Sequence, residues 1–137
     1  MNTKYGLKNR NLKVERVGEA KIESEKMITL INASPKVKKI LEAENWHAIF
    51  QLNLEGETKP FFIEIKNGKA TLQEGTNPNL TLLITGKGSS IARVCRGQGD
   101  FTHSISREEI EIKKGKVMEL IRYGRAISAA LKEKKVS

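Results

Sequence analysis

Residues 48–75 read AIFQLNLEGETKPFFIEIKNGKATLQEG, and this run constrains the fold more than any other. Phe50, Leu52 and Leu54 alternate with Gln51, Asn53 and Glu55, and Phe61, Ile63 and Ile65 alternate with Phe62, Glu64 and Lys66. A period of two puts one apolar row on one face of a sheet and a polar row on the other. Asn67-Gly68 joins two such strands, and both positions of the tight hairpin turn favour positive φ, which Asn and Gly adopt readily. Three antiparallel strands are therefore expected, with one face in water and one face that other parts of the chain must cover.

At 137 residues the chain fits one folded domain, long enough to bury a core without disulfides or metals. The single cysteine, Cys95, has no intramolecular partner, which fits a reducing compartment. No apolar run approaches the roughly 20 residues that a membrane-spanning helix needs. The first residues contain no apolar stretch of the secretory kind. A soluble cytoplasmic protein is the expectation. The net charge of +9 is uneven: residues 1–45 carry +4, residues 46–112 carry −1 and residues 113–137 carry +6. The sheet segment is near neutral and the excess lies at the ends. Such a surface fits an anionic partner, nucleic acid or phospholipid headgroups, or a solubilising face.

Residues 1–16 are polar and basic without a clear period, as in a flexible arm. Residues 18–33 are loosely helical, with Ile22, Met27, Leu30 and Ile31 apolar. The chain divides on this reading into a basic N-terminal arm or helix, 1–33, and a folded domain, 34–137. Ser34-Pro35 marks a helix start, Ser as N-cap and Pro at the first helical position. That helix is expected to reach about residue 45, with Val37, Ile40 and Leu41 on one stripe. Strands are expected at 46–55, 60–66, 69–74, 80–85 and 108–113. Gly86-Lys87-Gly88 is expected to break the fourth strand, and Ser89 or Ser90 to cap a short helix carrying Ile91, Val94 and Cys95. Residues 101–105 read as an irregular connection. A final helix at 116–133 carries Val117, Leu120, Ile121, Gly124, Ile127 and Leu131 as an apolar stripe, widened by Ala126, Ala129 and Ala130. The open sheet face is its natural partner.

No constellation reads as an assembled catalytic site. Gly86-Lys87-Gly88-Ser89-Ser90 lies between a strand and a helix but lacks the GxxxxGK[ST] spacing of a phosphate loop. His47, His103 and Cys95 show no paired metal-ligand spacing, so no metal or other cofactor is expected. Asp100 and His103 form half a triad without an activated nucleophile. Glu109 and Glu111 share one side of a strand, read here as solvent-facing. Nucleic-acid binding would want aromatics among the basic residues. Here most aromatics lie in the neutral sheet segment. Phe62 is the candidate for an exposed stacking platform.

The order of elements resembles the sterol carrier protein family over about residues 35–133. The residues that carry the resemblance are IFQLNLEGE at 49–57, IEIKNGKATLQEG at 63–75 and LTLLITG at 80–86, followed by a connection of the family's length at 97–112 and the terminal helix. Two departures stand out. The family often has Asn-Pro-Gln and then an aromatic pair after the short helix, where this chain has Asp100-Phe101-Thr102 and Ile105-Ser106. A Gly usual before the last strand is replaced by Glu108. Both sit beside the part of the family tunnel that shapes ligand entry.

The resemblance implies an α+β fold: a five-stranded, mostly antiparallel sheet with helices packed on one face. It implies a non-enzymatic protein that binds or transfers a sterol, fatty acid, acyl-CoA or isoprenoid in an apolar tunnel between sheet and helices. Candidate lining residues are Phe50, Leu52, Phe61, Ile63, Leu82, Ile84, Ile91, Val94, Phe101, Ile105, Val117, Leu120, Ile121, Gly124 and Leu131. The last helix would be a movable lid. Lys113, Lys114, Lys116, Arg122 and Arg125 would meet an anionic membrane. The alternatives are an accessory module that presents lipid intermediates to biosynthetic enzymes and, disfavoured, a nucleic-acid-binding basic domain.

Overall fold

The computed structural model describes residues 18–136; the arm expected at 1–16, with Tyr5, lies outside the described residues. The strands are β1 (Ala48–Glu55), β2 (Phe61–Lys66), β3 (Lys69–Glu74), β4 (Leu82–Lys87) and β5 (Ile110–Lys114). The helices are α1 (Glu19–Ala33), α2 (Pro35–Glu42), α3 (Gly88–Cys95), α4 (Phe101–Ser106) and α5 (Val117–Val136). A 3-10 turn, Ala43–Asn45, leads from α2 into β1.

The sheet order is β3-β2-β1-β4-β5. All neighbours are antiparallel except β1 and β4, which run parallel. The fold is α+β, with a five-stranded, mostly antiparallel sheet and the helices on one face. The apolar rows pair as alternation demands: Phe50 opposes Ile63 and Leu82, and Leu52 opposes Phe61 and Ile84. Asn67 and Gly68 take φ 54° and 74°, the geometry that a two-residue hairpin requires.

The cover begins at residue 19. Helix α1 contributes Ala20, Met27, Ile28 and Ile31 to the same core as the strands, and packs on β3, α3 and α5. Glu57 accepts a hydrogen bond from the Ala20 amide at 3.1 Å, satisfying one free donor at the start of α1. Ser34 caps α2 as expected, its Oγ accepting from the Val37 amide at 3.1 Å.

The structure corrects several local expectations. Helix α2 stops at Glu42, because Glu44 and Asn45 take left-handed φ values of 60° and 53°. Strand β4 runs through Gly86 to Lys87 instead of breaking there. A Cβ at Gly86 would lie 2.3 Å from the Glu109 carbonyl, so this glycine serves the approach of β5. Ser89 and Ser90 lie inside α3, whose N-cap Lys87 makes no side-chain cap bond. Ser90 instead donates to Glu109 at 2.8 Å, and Arg93 donates to the same carboxylate. Glu109 is thus tied to α3 instead of standing free in solvent. Residues 101–106 are helical because the Asp100 carboxylate caps them, accepting from the His103 amide at 2.9 Å.

The outer face of the sheet is only partly wet. Gln51 is 1% exposed. Its Nε2 donates to the Phe61 and Gly75 carbonyls, and its Oε1 accepts from the Asn77 amide at 2.9 Å. These bonds fasten the loop that carries the chain from β3 back across to β4.

Candidate functional site

The fifteen candidate lining residues separate into distinct places. Phe50, Leu52, Ile63 and Ile84 from the strands meet Ile91 of α3, Phe101 of α4 and Leu120 of α5. With Ser24, Cys95 and Tyr123 they enclose a void of about 10 Å³. Phe61 and Leu82 are fully buried in the surrounding core, and Ile105 packs half-buried against it. Side chains thus fill the space directly between sheet and helices. Val117 departs from its expected place: it is 39% exposed at the first turn of α5.

The large space lies one helical face away. A groove of about 760 Å³ opens between the C-terminal half of α5 and the corner where α3 passes into α4. Its α5 wall is Ile121, Gly124, Ile127, Ser128 and Leu131. Opposite stand Val94, Gly97, Gly99, Phe101 and Thr102. Five sequence-derived candidates meet here: Val94, Phe101, Ile121, Gly124 and Leu131. Their convergence has a steric basis. A Cβ at Gly124 would be 3.3 Å from the Phe101 ring, and one at Gly97 3.2 Å from Leu131. Side chains at either position would press the walls apart.

The groove is apolar within and basic at its mouth. Arg96, Arg125, Lys132, Lys134 and Lys135 border it, against one acid, Asp100. Arg96 is paired with Glu19 and Glu23 of α1. Asp100 is held below the usual carboxylate range by the Thr102 hydroxyl and the His103 amide. Sequence reasoning missed Arg96, Ser128, Lys132, Lys134 and Lys135. The available signal was the stripe at 121, 124, 128, 131 and 135, adjacent to the core stripe at 120, 123, 127 and 130.

The expected membrane-contact residues also divide. Lys113, Lys114 and Lys116 are exposed at the turn into α5, and Lys113 pairs with Glu111 at 3.3 Å. Arg125 is exposed at the groove. Arg122 is taken up by the fold: its guanidinium lies 4.2 Å over the Trp46 ring and donates to the Ala43 carbonyl. Trp46 Nε1 donates to Glu119 at 2.9 Å, and Ser34 Oγ donates to Glu133 at 2.8 Å. These contacts tie α5 to α2 and the following turn near both ends, which opposes its expected role as a movable lid.

Other candidate chemistry is accounted for by packing. Burial pushes the Cys95 thiol up to about 11, so it is a protonated core group and not a nucleophile. His103 and Asp100 are both exposed, their side chains 3.5 Å apart, and Asp100 serves as a helix cap. His47 contacts Glu64 at 2.8 Å on the surface. Among the described residues no group of three or more His, Cys, Asp or Glu could hold a metal ion. Phe62 is buried and offers no stacking platform; Trp46, Phe50, Phe61, Phe101 and Tyr123 are buried too. Among the described residues, no helix is long and apolar enough to cross a membrane.

No family model matches the chain, and no curated protein matches it. Solved structures do. The UbiJ-SCP2 ubiquinone synthesis protein superposes with a TM-score of 0.64 and 16% identity, covering 81% of this chain and 88% of that one. Palmitated SCP2L2 from Aedes aegypti gives 0.59 and 14% identity, covering 82% and 94%. Sterol carrier protein 2 from Yarrowia lipolytica gives 0.56 and 16%, covering 77% and 87%. At these identities the likeness is one of fold: the chain has the sterol carrier protein fold.

Proposed function

We propose that this protein is a non-enzymatic carrier that binds a lipid-like molecule in the groove between α5 and the α3–α4 corner. The observation that carries the reading is the groove itself: about 760 Å³, walled by Ile121, Leu131, Val94 and Phe101. Its volume falls within the range of ligand sites, which are typically concave, apolar and largely pre-formed. Burial of an acyl or isoprenoid chain there supplies affinity at about 25 cal/mol per Å² removed from water, before ordering costs. A neighbour of the same fold is described as palmitated, which supports an acyl-sized occupant.

The mouth of the groove explains loading. Arg125, Lys132 and Lys135 are exposed beside the apolar walls, so an anionic bilayer surface attracts the mouth toward the lipid. Lys113 and Lys114 at the end of β5 and Lys116 at the start of α5, the last about 16 Å along the helix from Ile127, add to the general attraction. Because α5 is tied near both ends, the six-residue α4 is the wall that yields when a ligand enters.

One observation favours a second reading, an accessory module that presents lipid intermediates to biosynthetic enzymes. The neighbour with a TM-score of 0.64 is described as a ubiquinone synthesis protein. Pull-down of biosynthetic enzymes separates an accessory module from a free carrier. Both readings require the groove to bind. Titration of delipidated protein with a fluorescent long-chain lipid tests this: saturable one-site binding is expected, and its absence overturns both.

A further inference from the structure

Tyr123 is at odds with its surroundings. Its ring is buried on α5 between Phe50, with ring centroids 5.3 Å apart, and Phe101, at 6.2 Å. Its Oη is the one buried side-chain polar atom without a hydrogen-bond partner among the described residues. Buried hydroxyls are nearly always paired, because an unpaired one forfeits its hydration without return. Burial raises the phenol well above its ordinary pKa of 10, so at neutral pH it is an O–H donor with no described protein group to donate to.

The surroundings say what could accept that proton. Tyr123 lines the void of about 10 Å³ between sheet and helices, on the order of one water site. Ser24 Oγ and Cys95 Sγ, also at the void, stand 3.9 Å apart and serve each other. The remaining lining is apolar and none of it is charged. Phe101 lines both this void and the outer groove. Beside its ring lies Gly124, which has no side chain to hold it in place. Phe101 is thus the side chain that the two spaces share, and its displacement is the step that would connect the basic mouth to the Tyr123 hydroxyl.

We propose that Tyr123 is the hydrogen-bond anchor for a neutral oxygen, a hydroxyl or a carbonyl, at the buried end of a lipid that enters through the α5 groove past Phe101. The inference rests on the lipid-binding reading above and narrows its ligand class. A carboxylate is excluded from the deep end, because it would be stripped of water with no cation on the lining to meet it. Fatty acids bind with their charged end at the basic mouth and leave Tyr123 unused. Long-chain alcohols, ketones and other lipids ending in a neutral oxygen use it.

The test is calorimetric titration of the delipidated full chain with 1-tetradecanol, 2-tetradecanone and tetradecanoate, on the wild type and on Tyr123→Phe. The substitution removes only the hydroxyl. The expected result is a loss of about tenfold in affinity for the alcohol and the ketone, the scale of one net hydrogen bond in an apolar site. Tetradecanoate affinity changes less than twofold. Unchanged alcohol and ketone affinity in Tyr123→Phe overturns the anchor while leaving the lipid-binding reading intact. An equal loss for tetradecanoate overturns the neutral-oxygen selectivity. Failure of the wild type to bind any of the three overturns the lipid-binding reading and the anchor with it.

Discussion

Helix α5 has two neighbouring apolar stripes with different surroundings. Leu120 and Tyr123 face the sheet and are buried, and the space beside them is closed to about 10 Å³. One step around the helix, Ile121, Gly124, Ser128 and Leu131 face the α3–α4 corner across a groove of about 760 Å³. The difference lies in the opposing surface. The sheet offers continuous rows such as Phe50–Ile63 and Leu52–Phe61, and Phe50, Leu52 and Ile63 close on Leu120 and Tyr123 of the helix. The corner offers a short helix and a glycine-containing connection, which pack without filling the gap. A continuous sheet row fixes the fold, and the discontinuous corner leaves room for a ligand.

The largest expected effect separates these surfaces by stability. Phe50→Ala, in the filled interior, lowers unfolding free energy by about 3–5 kcal/mol. Leu131→Ala, on the groove wall, costs about 1 kcal/mol or less, because the cavity it would leave is already open to solvent. Chemical denaturation midpoints measure both, and equal losses would break the comparison. Next is Gln51→Leu, which leaves the Asn77 amide and the Gly75 carbonyl without their partner and costs about 2–3 kcal/mol by the same measurement.

Smaller effects sharpen the account of the corner. Asp100→Ala removes the cap of α4 and costs about 1 kcal/mol. The same bond predicts a pH dependence. The Asp100 carboxyl is held below its ordinary value by Thr102 and the His103 amide. Its contribution is therefore full above about pH 4, the unfolded value, and is lost as pH falls through the lower folded value. The protection of the α4 amides, taken relative to the intrinsic exchange rate at each pH, falls from pH 6 to pH 3 in the wild type and falls less in Asp100→Ala. The smallest effect is a gain: Glu108 sits at φ 60°, where a side chain is strained. Glu108→Gly raises stability by about 0.5–1 kcal/mol, visible as a higher melting temperature.

Much of this was readable from the chain. The alternation at Phe50, Leu52 and Leu54 and at Phe61, Ile63 and Ile65, with the Asn67-Gly68 turn, dictates the meander, since a one-residue slip would turn these apolar side chains outward. The α5 stripe and the Ser34-Pro35 start were equally direct. The resemblance to sterol carrier proteins, drawn from the 49–57, 63–75 and 80–86 segments, agrees with the fold. The Gly that the resemblance places before the last strand corresponds to a position where Glu108 does take a left-handed φ.

Other features depended on partners distant in sequence. Gln51 reads as a wet residue by periodicity, and only the returning loop at Gly75 and Asn77 buries it. Arg122 reads as a surface cation, and Trp46 and the Ala43 carbonyl claim it. Helix α4 was concealed because Asp100-Phe101-Thr102-His103 is too short for a periodic signal, though Asp at its N-cap was a legible clue. The position of the groove followed from two glycines whose neighbours, Leu131 and Phe101, lie on other elements.

The central claim is that a lipid occupies the α5 groove, and amide NMR of the delipidated protein titrated with 1-tetradecanol tests it most directly. The account predicts saturable shifts concentrated at 97–102 and 121–131, and their loss in Ser128→Trp, which fills the groove from its solvent side. Shifts confined to other surfaces, or saturable binding that survives Ser128→Trp undiminished, would contradict it.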